Sequence, residues 1–109
     1  MDRLVQLLEK MQVPFAYDHF AEGESPEPPF LVYLFPRSAN FPGDGQVYYK
    51  QTQVAVELYT DAKDLFREHQ LEQLLDQAGI YYEKSEVWIP SERLYEVRYE
   101  FIWEVDYEE

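Results

Sequence analysis

The sequence predicts an α+β domain, an antiparallel or mixed sheet of four to five strands with two helices packed on one face. Three observations predict it. Two segments carry apolar residues at helical spacing, each along a single stripe. Several others alternate, or run apolar, over strand lengths. The order is helix, short strand, two strands, helix, two strands, and a strand pair on each side of a helix favours a sheet layered under helices. At 109 residues the chain fits one domain, 1–109, of a size that can bury a core without metal or disulfide staples.

The first helix is expected over about Asp2–Gln12, with Leu4, Leu7, Leu8 and Met11 at i, i+3, i+4, i+7. Asp2 suits the positive end of its dipole. Pro14 disfavours helix at Val13 and ends it. Phe15, Tyr17 and His19 then alternate as in a short strand. Residues 21–29 read AEGESPEPP, too rich in proline, glycine and glutamate for a regular element, and predict a flexible loop. The apolar run Phe30–Phe35 (FLVYLF) is expected at the centre of the sheet, buried on both faces. A second flexible loop, PRSANFPGDG, spans 36–45 and carries one exposed-looking aromatic, Phe41.

Gln46–Thr60 reads as one long strand whose apolar face is broken by Lys50 and Thr52, so its first half is expected to project beyond the core as a ribbon. Thr60 or Asp61 would cap the second helix. Leu71, Leu74, Leu75 and Ala78 give that helix its stripe, joined at the start by Leu65 or Phe66. Gly79 would stop it in the left-handed conformation. A final hairpin pairs Ile80–Ile89 with Arg93–Val105 around Pro90-Ser91-Glu92. Tyr95, Val97, Tyr99, Phe101, Trp103 and Val105 share the core face of its last strand; Glu96, Arg98, Glu100 and Glu104 share the other, broken by Ile102. The outer end of the aromatic ladder, Trp103 with Tyr107, has a second reading as a contact with a neighbouring subunit. The chain closes on an acidic stretch, 106–109.

The formal net charge is −13, from 22 acidic and 9 basic residues, which keeps a protein soluble and disfavours phosphate backbones and anionic membranes. No basic region precedes a long apolar run at the start, and no apolar stretch has the length of a membrane span, so a cytosolic protein is expected. No Cys is present, which excludes disulfides and thiolate metal sites. His19 and His69 lack partners at ligand spacing. Glu96, Glu100 and Glu104 recur along one strand face about 13 Å apart; they read as a solvated or lumen-facing row, not an acid/base pair. The serines lack a nucleophile-elbow pattern, and the four glycines match no phosphate or dinucleotide loop. The residues therefore predict no enzyme, no cofactor and no metal, and no specific nucleic-acid or membrane binding.

The runs AYDHFAEG, PFLVYLFPRSANFPGDGQVYYK and GIYYEKSEVWIPSERLYEVRYEF resemble small proteins of the head–tail gene cluster of tailed phages and prophages of Gram-positive bacteria. The likeness covers roughly Met1 to Val105 and is to the tail-completion and tail-terminator proteins. It implies a structural, non-enzymatic α+β protein. Such a protein forms a homo-oligomeric ring, typically hexameric, at the head–tail junction, made in the host cytoplasm and touching tail-tube or head-connector protein. An acidic lumen would suit a ring that DNA passes through. Two alternatives stay open. One is an acidic adaptor or inhibitor domain, even a DNA mimic, docking on a basic protein; the weaker is a small enzyme or ligand-binding domain. Under the assembly reading, Asn40, Phe41, Asp44, Tyr48 and Tyr49 are the expected contact residues. An aromatic in a Pro/Gly loop, beside a ribbon with a broken apolar face, has little core of its own to cover.

Overall fold

The computed structural model describes residues 2–39, 41–43, 46–49 and 51–104. In chain order the elements are α1 (Asp2–Glu9), β1 (Phe15–Tyr17), β2 (Phe30–Ser38), β3 (Phe41–Gly43), β4 (Gln46–Tyr49), β5 (Gln51–Thr60), α2 (Leu65–Gln77), β6 (Glu83–Ile89) and β7 (Leu94–Glu104). Five strands form one mixed sheet in the order β1-β2-β5-β7-β6, parallel between β1 and β2 and antiparallel elsewhere. The fold class matches the expectation from sequence.

Helix α1 buries Leu4, Leu7 and Leu8, the turn after it buries Met11, and α2 buries Leu71 and Leu75. These residues form one cluster with Leu31, Val54, Val56, Leu58, Val97, Tyr99 and Phe101. Leu58 pairs with both Leu31 and Val97, and Val56 with Tyr99. Since side chains alternate along a strand, those sheet residues all belong to one face. Leu8 and Leu58 are wholly buried. Truncating either to Ala should cost roughly 2–5 kcal/mol through lost transfer energy and the cavity left behind.

Several expected boundaries move, each for a local reason. The α-helical part of α1 stops at Glu9. Bonds from the amides of Lys10, Met11 and Gln12 to carbonyls three residues back tighten its end, and Gln12 turns left-handed at φ 60°. His19 does not extend β1, because Asp18 breaks the strand at φ 67°. The second helix is capped by Asp64, not by Thr60 or Asp61: its carboxylate accepts the Arg67 amide at 3.0 Å. Gly79 does close that helix at φ 72°, with the Ile80 amide bonded to the Leu75 carbonyl.

Leu65 and Phe66 do not join the stripe; they are 58% and 74% exposed. The inward positions are Glu68, Leu71 and Leu75 at i, i+3, i+7, and Phe66, two residues from Glu68, points away. Ala78 is exposed too.

The apolar run FLVYLF is interior to the sheet, but the central strand is β5. Phe30, Leu31 and Val32 are buried, while Phe35 is 41% exposed. Strand β2 continues past the expected loop start to Ser38, through an irregularity between Leu34 and Arg37. The range expected as one long strand holds β4 and β5, with Lys50 between them outside the described residues. Its first part, β4, pairs with β3 in a separate two-stranded sheet, the anticipated ribbon.

Candidate functional site

The β1–β2 side of the sheet carries an aromatic patch. Phe15 and Tyr17 stand in register with Leu31 and Tyr33 on the neighbouring parallel strand. Tyr33 is central to the patch, with ring centroids 6.2 Å from Phe15, 5.4 Å from Tyr17 and 6.1 Å from Phe35; Tyr17 and Phe35 are 5.5 Å apart. Tyr33 and Phe15 pack against the core, and burial followed by the neighbouring Tyr17 raises the Tyr33 phenol above its ordinary value. Tyr17 and Phe35 sit at the open end, 53% and 41% exposed. Ring pairs contribute about 0.5–1.5 kcal/mol each beyond area burial. The patch is therefore held in shape while its outer rings remain in water.

From Phe35 the chain runs directly toward the ribbon. Its path is fixed by Arg37 Nε donating to Gln53 Oε1 at 2.6 Å, Thr52 Oγ1 to the Arg37 carbonyl at 3.1 Å, and the Ala39 amide to the Gln51 carbonyl at 2.8 Å. Of the expected contact residues, Phe41 lies on β3, and Tyr48 and Tyr49 on β4, with Phe41 opposite Tyr49 in register. Asn40 and Asp44 lie outside the described residues.

The face of the sheet turned away from the helices carries a charged network. Glu57 on β5 is only 7% exposed. Arg98 Nη1 donates to Glu57 Oε2 at 2.5 Å, Arg98 Nε to Glu100 Oε2 at 2.8 Å, and Tyr59 Oη to Glu57 Oε1 at 2.8 Å. Glu96 stands opposite Tyr59, diagonal to Glu57. Burial first, then the charge of Glu57, raises its carboxyl above the ordinary value. Burial and the Glu57 bond likewise push the Tyr59 phenol up. The expected solvated row Glu96–Glu100 is thus corrected. Both carboxylates are half-buried; Glu100 shares Arg98 with Glu57, because β5 lies alongside β7 and brings its own acid to the same guanidinium, while Glu96 faces Tyr59.

A second network joins α2 to β6 and β7. Glu68 is 2% exposed; Lys63 contacts its Oε2, and Lys84 Nζ lies 3.0 Å from Oε1 without the alignment of a hydrogen bond. Lys63 also contacts Glu86, and Lys84 reaches Glu72 at 2.6 Å. Tyr99 Oη donates to Glu72 Oε2 at 2.8 Å. Burial raises the Glu68 carboxyl, but the bond to Lys63 and the charges of Lys84 and Lys63 outweigh it, and its net position is below the ordinary value. These contacts orient helix against sheet. Trp103 is half-buried against the core, with the Arg3 guanidinium 5.7 Å over its ring, so the core reading of the β7 ladder describes it. Tyr107 lies outside the described residues.

His19 is exposed and bonded to Asp18 at 2.8 Å, and His69 is exposed. Among the described residues no group of three or more His, Asp or Glu side chains is placed to hold a metal ion, and no helix is long and apolar enough to cross a membrane. Two cavities stand out. One, of about 450 Å³, lies between the helices and the end of β7, lined by Arg3, Leu7, Lys10, Leu74, Ile102 and Trp103 among others. The other, of about 280 Å³, lies on the opposite face under the loop after β1, lined by Asp18, Phe20, Phe30, Tyr59 and Glu92 among others.

Sequence reasoning missed Tyr17 and Phe35 as surface aromatics and Glu57, Glu68 and Arg98 as buried-network residues. A signal for Glu68 existed, since it continues the Leu71–Leu75 stripe one turn earlier. None existed for Glu57, whose surroundings depend on strand pairing. No protein-family model matches the chain, and no curated protein matches it.

Proposed function

We propose that this chain is a structural assembly protein of a phage or prophage particle, of the tail-completion or terminator kind. It acts by contact and not by catalysis. It forms a ring at the head–tail junction after synthesis in the host cytoplasm, and touches tail-tube or head-connector protein. The observation that supports this reading is the exposed end of the aromatic patch, Tyr17 and Phe35, continuous along the chain with the β3–β4 ribbon that carries Phe41, Tyr48 and Tyr49. Clustered aromatics half in water, rimmed by polar groups, are the composition of protein interfaces. A net charge of −13 suits a ring that duplex DNA must pass without sticking.

The test is the mass of the protein in solution, alone and with the tail-tube protein of the same particle. The reading expects a discrete higher oligomer or a stoichiometric complex. A monomer under both conditions at high concentration argues against it.

A second reading, an acidic adaptor or inhibitor that docks on a basic protein, has its own supporting observation. Two carboxylates, Glu57 and Glu100, bind Arg98, and a third, Glu96, lies beside Glu57. The chain would then compete with DNA for the same surface of the basic protein.

A further inference from the structure

The 280 Å³ cavity on the face away from the helices is walled by aromatic rings and acids together. Phe20 meets Phe30 edge-on with centroids 5.4 Å apart, and Phe30 stacks on Tyr59 at 5.1 Å and 21°. All three line the cavity, as do Asp18 and Glu92, both exposed. His19, the one group there able to become a cation among the described lining residues, is bonded to Asp18. Tyr59 ties the wall to the network behind it through its bond to Glu57, where two carboxylates, Glu57 and Glu100, share one guanidinium. The raised carboxyl of Glu96, which faces Tyr59 across the strand pair, agrees with a region short of positive charge.

Aromatic faces attract cations through the ring quadrupole, and carboxylates nearby add direct attraction. A purely apolar ligand would satisfy the rings and give Glu92 no partner. An anion would be repelled. We propose that this cavity is a socket for a cationic side chain, an arginine or lysine presented by a protein partner, with the aliphatic stem against Phe20, Phe30 and Leu94 and the charged end toward Asp18, Glu92 and Tyr59. A guanidinium is planar and stacks on rings, which suits the Phe30–Tyr59 wall. The socket lies on the sheet face opposite the helix-packed one, and it stands whether or not the ring reading is correct.

The test uses the full chain and two capped amino acids, Nα-acetyl-arginine methylamide and its uncharged isostere built on citrulline, titrated while the ring resonances of Phe20, Phe30 and Tyr59 are followed by NMR. The arginine probe should shift those resonances and saturate, and the citrulline probe should bind at least about fivefold more weakly. Asp18→Asn with Glu92→Gln removes the exposed acids at positions that carry no core, and Asn tolerates the left-handed conformation of residue 18. This variant should lose most of the preference for arginine while keeping the wild-type melting temperature. Equal affinity for the two probes would overturn the proposal in the wild-type protein alone. So would an arginine preference that survives in the double variant, or shifts confined to other residues.

Discussion

Arg98 on β7 stands opposite Glu57 on β5, and its guanidinium closes on the nearly buried Glu57 carboxylate at 2.5 Å while also holding Glu100. One cation thus organises the acids of two neighbouring strands. Removing it leaves Glu57, 7% exposed, beside Glu96 with no positive partner among the contacts described. Arg98→Met, which keeps the apolar stem, is expected to destabilise the domain by about 2 kcal/mol, less than a fully buried pair because Arg98 is itself partly in water. Urea unfolding at neutral pH measures this, and a change near zero would show that the network contributes nothing to folding.

Glu96 gives a pH dependence of definite sign. Its carboxyl is held above the ordinary 4.5 by burial and by Glu57. A carboxyl raised in the fold binds its proton more tightly there than in the unfolded chain, so stability falls as pH rises from the ordinary value through the raised one. Glu96→Gln is therefore expected to stabilise the protein at pH 7, by less than about 1 kcal/mol given solvent screening. At about pH 3, where both states are protonated, the effect should vanish. A gain of equal size at both pH values would assign it to something other than ionisation.

Glu68 has the opposite sign. Lys63 and Lys84 outweigh burial and hold its carboxyl below 4.5. The stability it contributes is fully present above that ordinary value and is lost as pH falls through the lowered one. Glu68→Gln should cost about 1–3 kcal/mol at pH 7, with the difference from wild type shrinking in acid. Glu68→Leu should cost less than Gln, because the site adjoins the Leu71–Leu75 stripe and both lysines, each 37% exposed, can return to water. A Leu variant less stable than the Gln variant contradicts this account.

Phe41 tests the ribbon. Phe41→Ala should leave the melting temperature of the isolated domain nearly unchanged, since the two-stranded β3–β4 sheet is separate from the five-stranded one. Assembly or tail joining should be impaired, by about 2 kcal/mol if Phe41 is an anchor at the contact. A large loss of monomer stability would place Phe41 in the core, and intact assembly would remove it from the contact.

What could be read in the sequence were the features with a local cause. The α1 stripe, the Gly79 stop and the alternation of Tyr95 to Trp103 all follow from spacing or from one residue's conformational preference, and all are present. What depended on strand order was not legible. The parallel pairing of β1 with β2 brings Tyr17 beside Tyr33 and Phe35, and no sequence interval announces it. The Glu57–Arg98 contact spans 41 residues and exists only because β5 and β7 are neighbours. Apolar content misled at Leu65 and Phe66, where the inward positions of the helix took Glu68 and left two large side chains in water.

The central claim, assembly through the aromatic edge, is tested most directly by sedimentation of the wild type and the Tyr17→Ser/Phe35→Ser double variant in one series, with and without tail-tube protein. Both side chains are about half in water, so the variant should fold with less than about 1–2 kcal/mol lost. The account predicts an oligomer or tail-tube complex for the wild type and a folded monomer for the variant under the same conditions. A folded variant that assembles as the wild type does would contradict it.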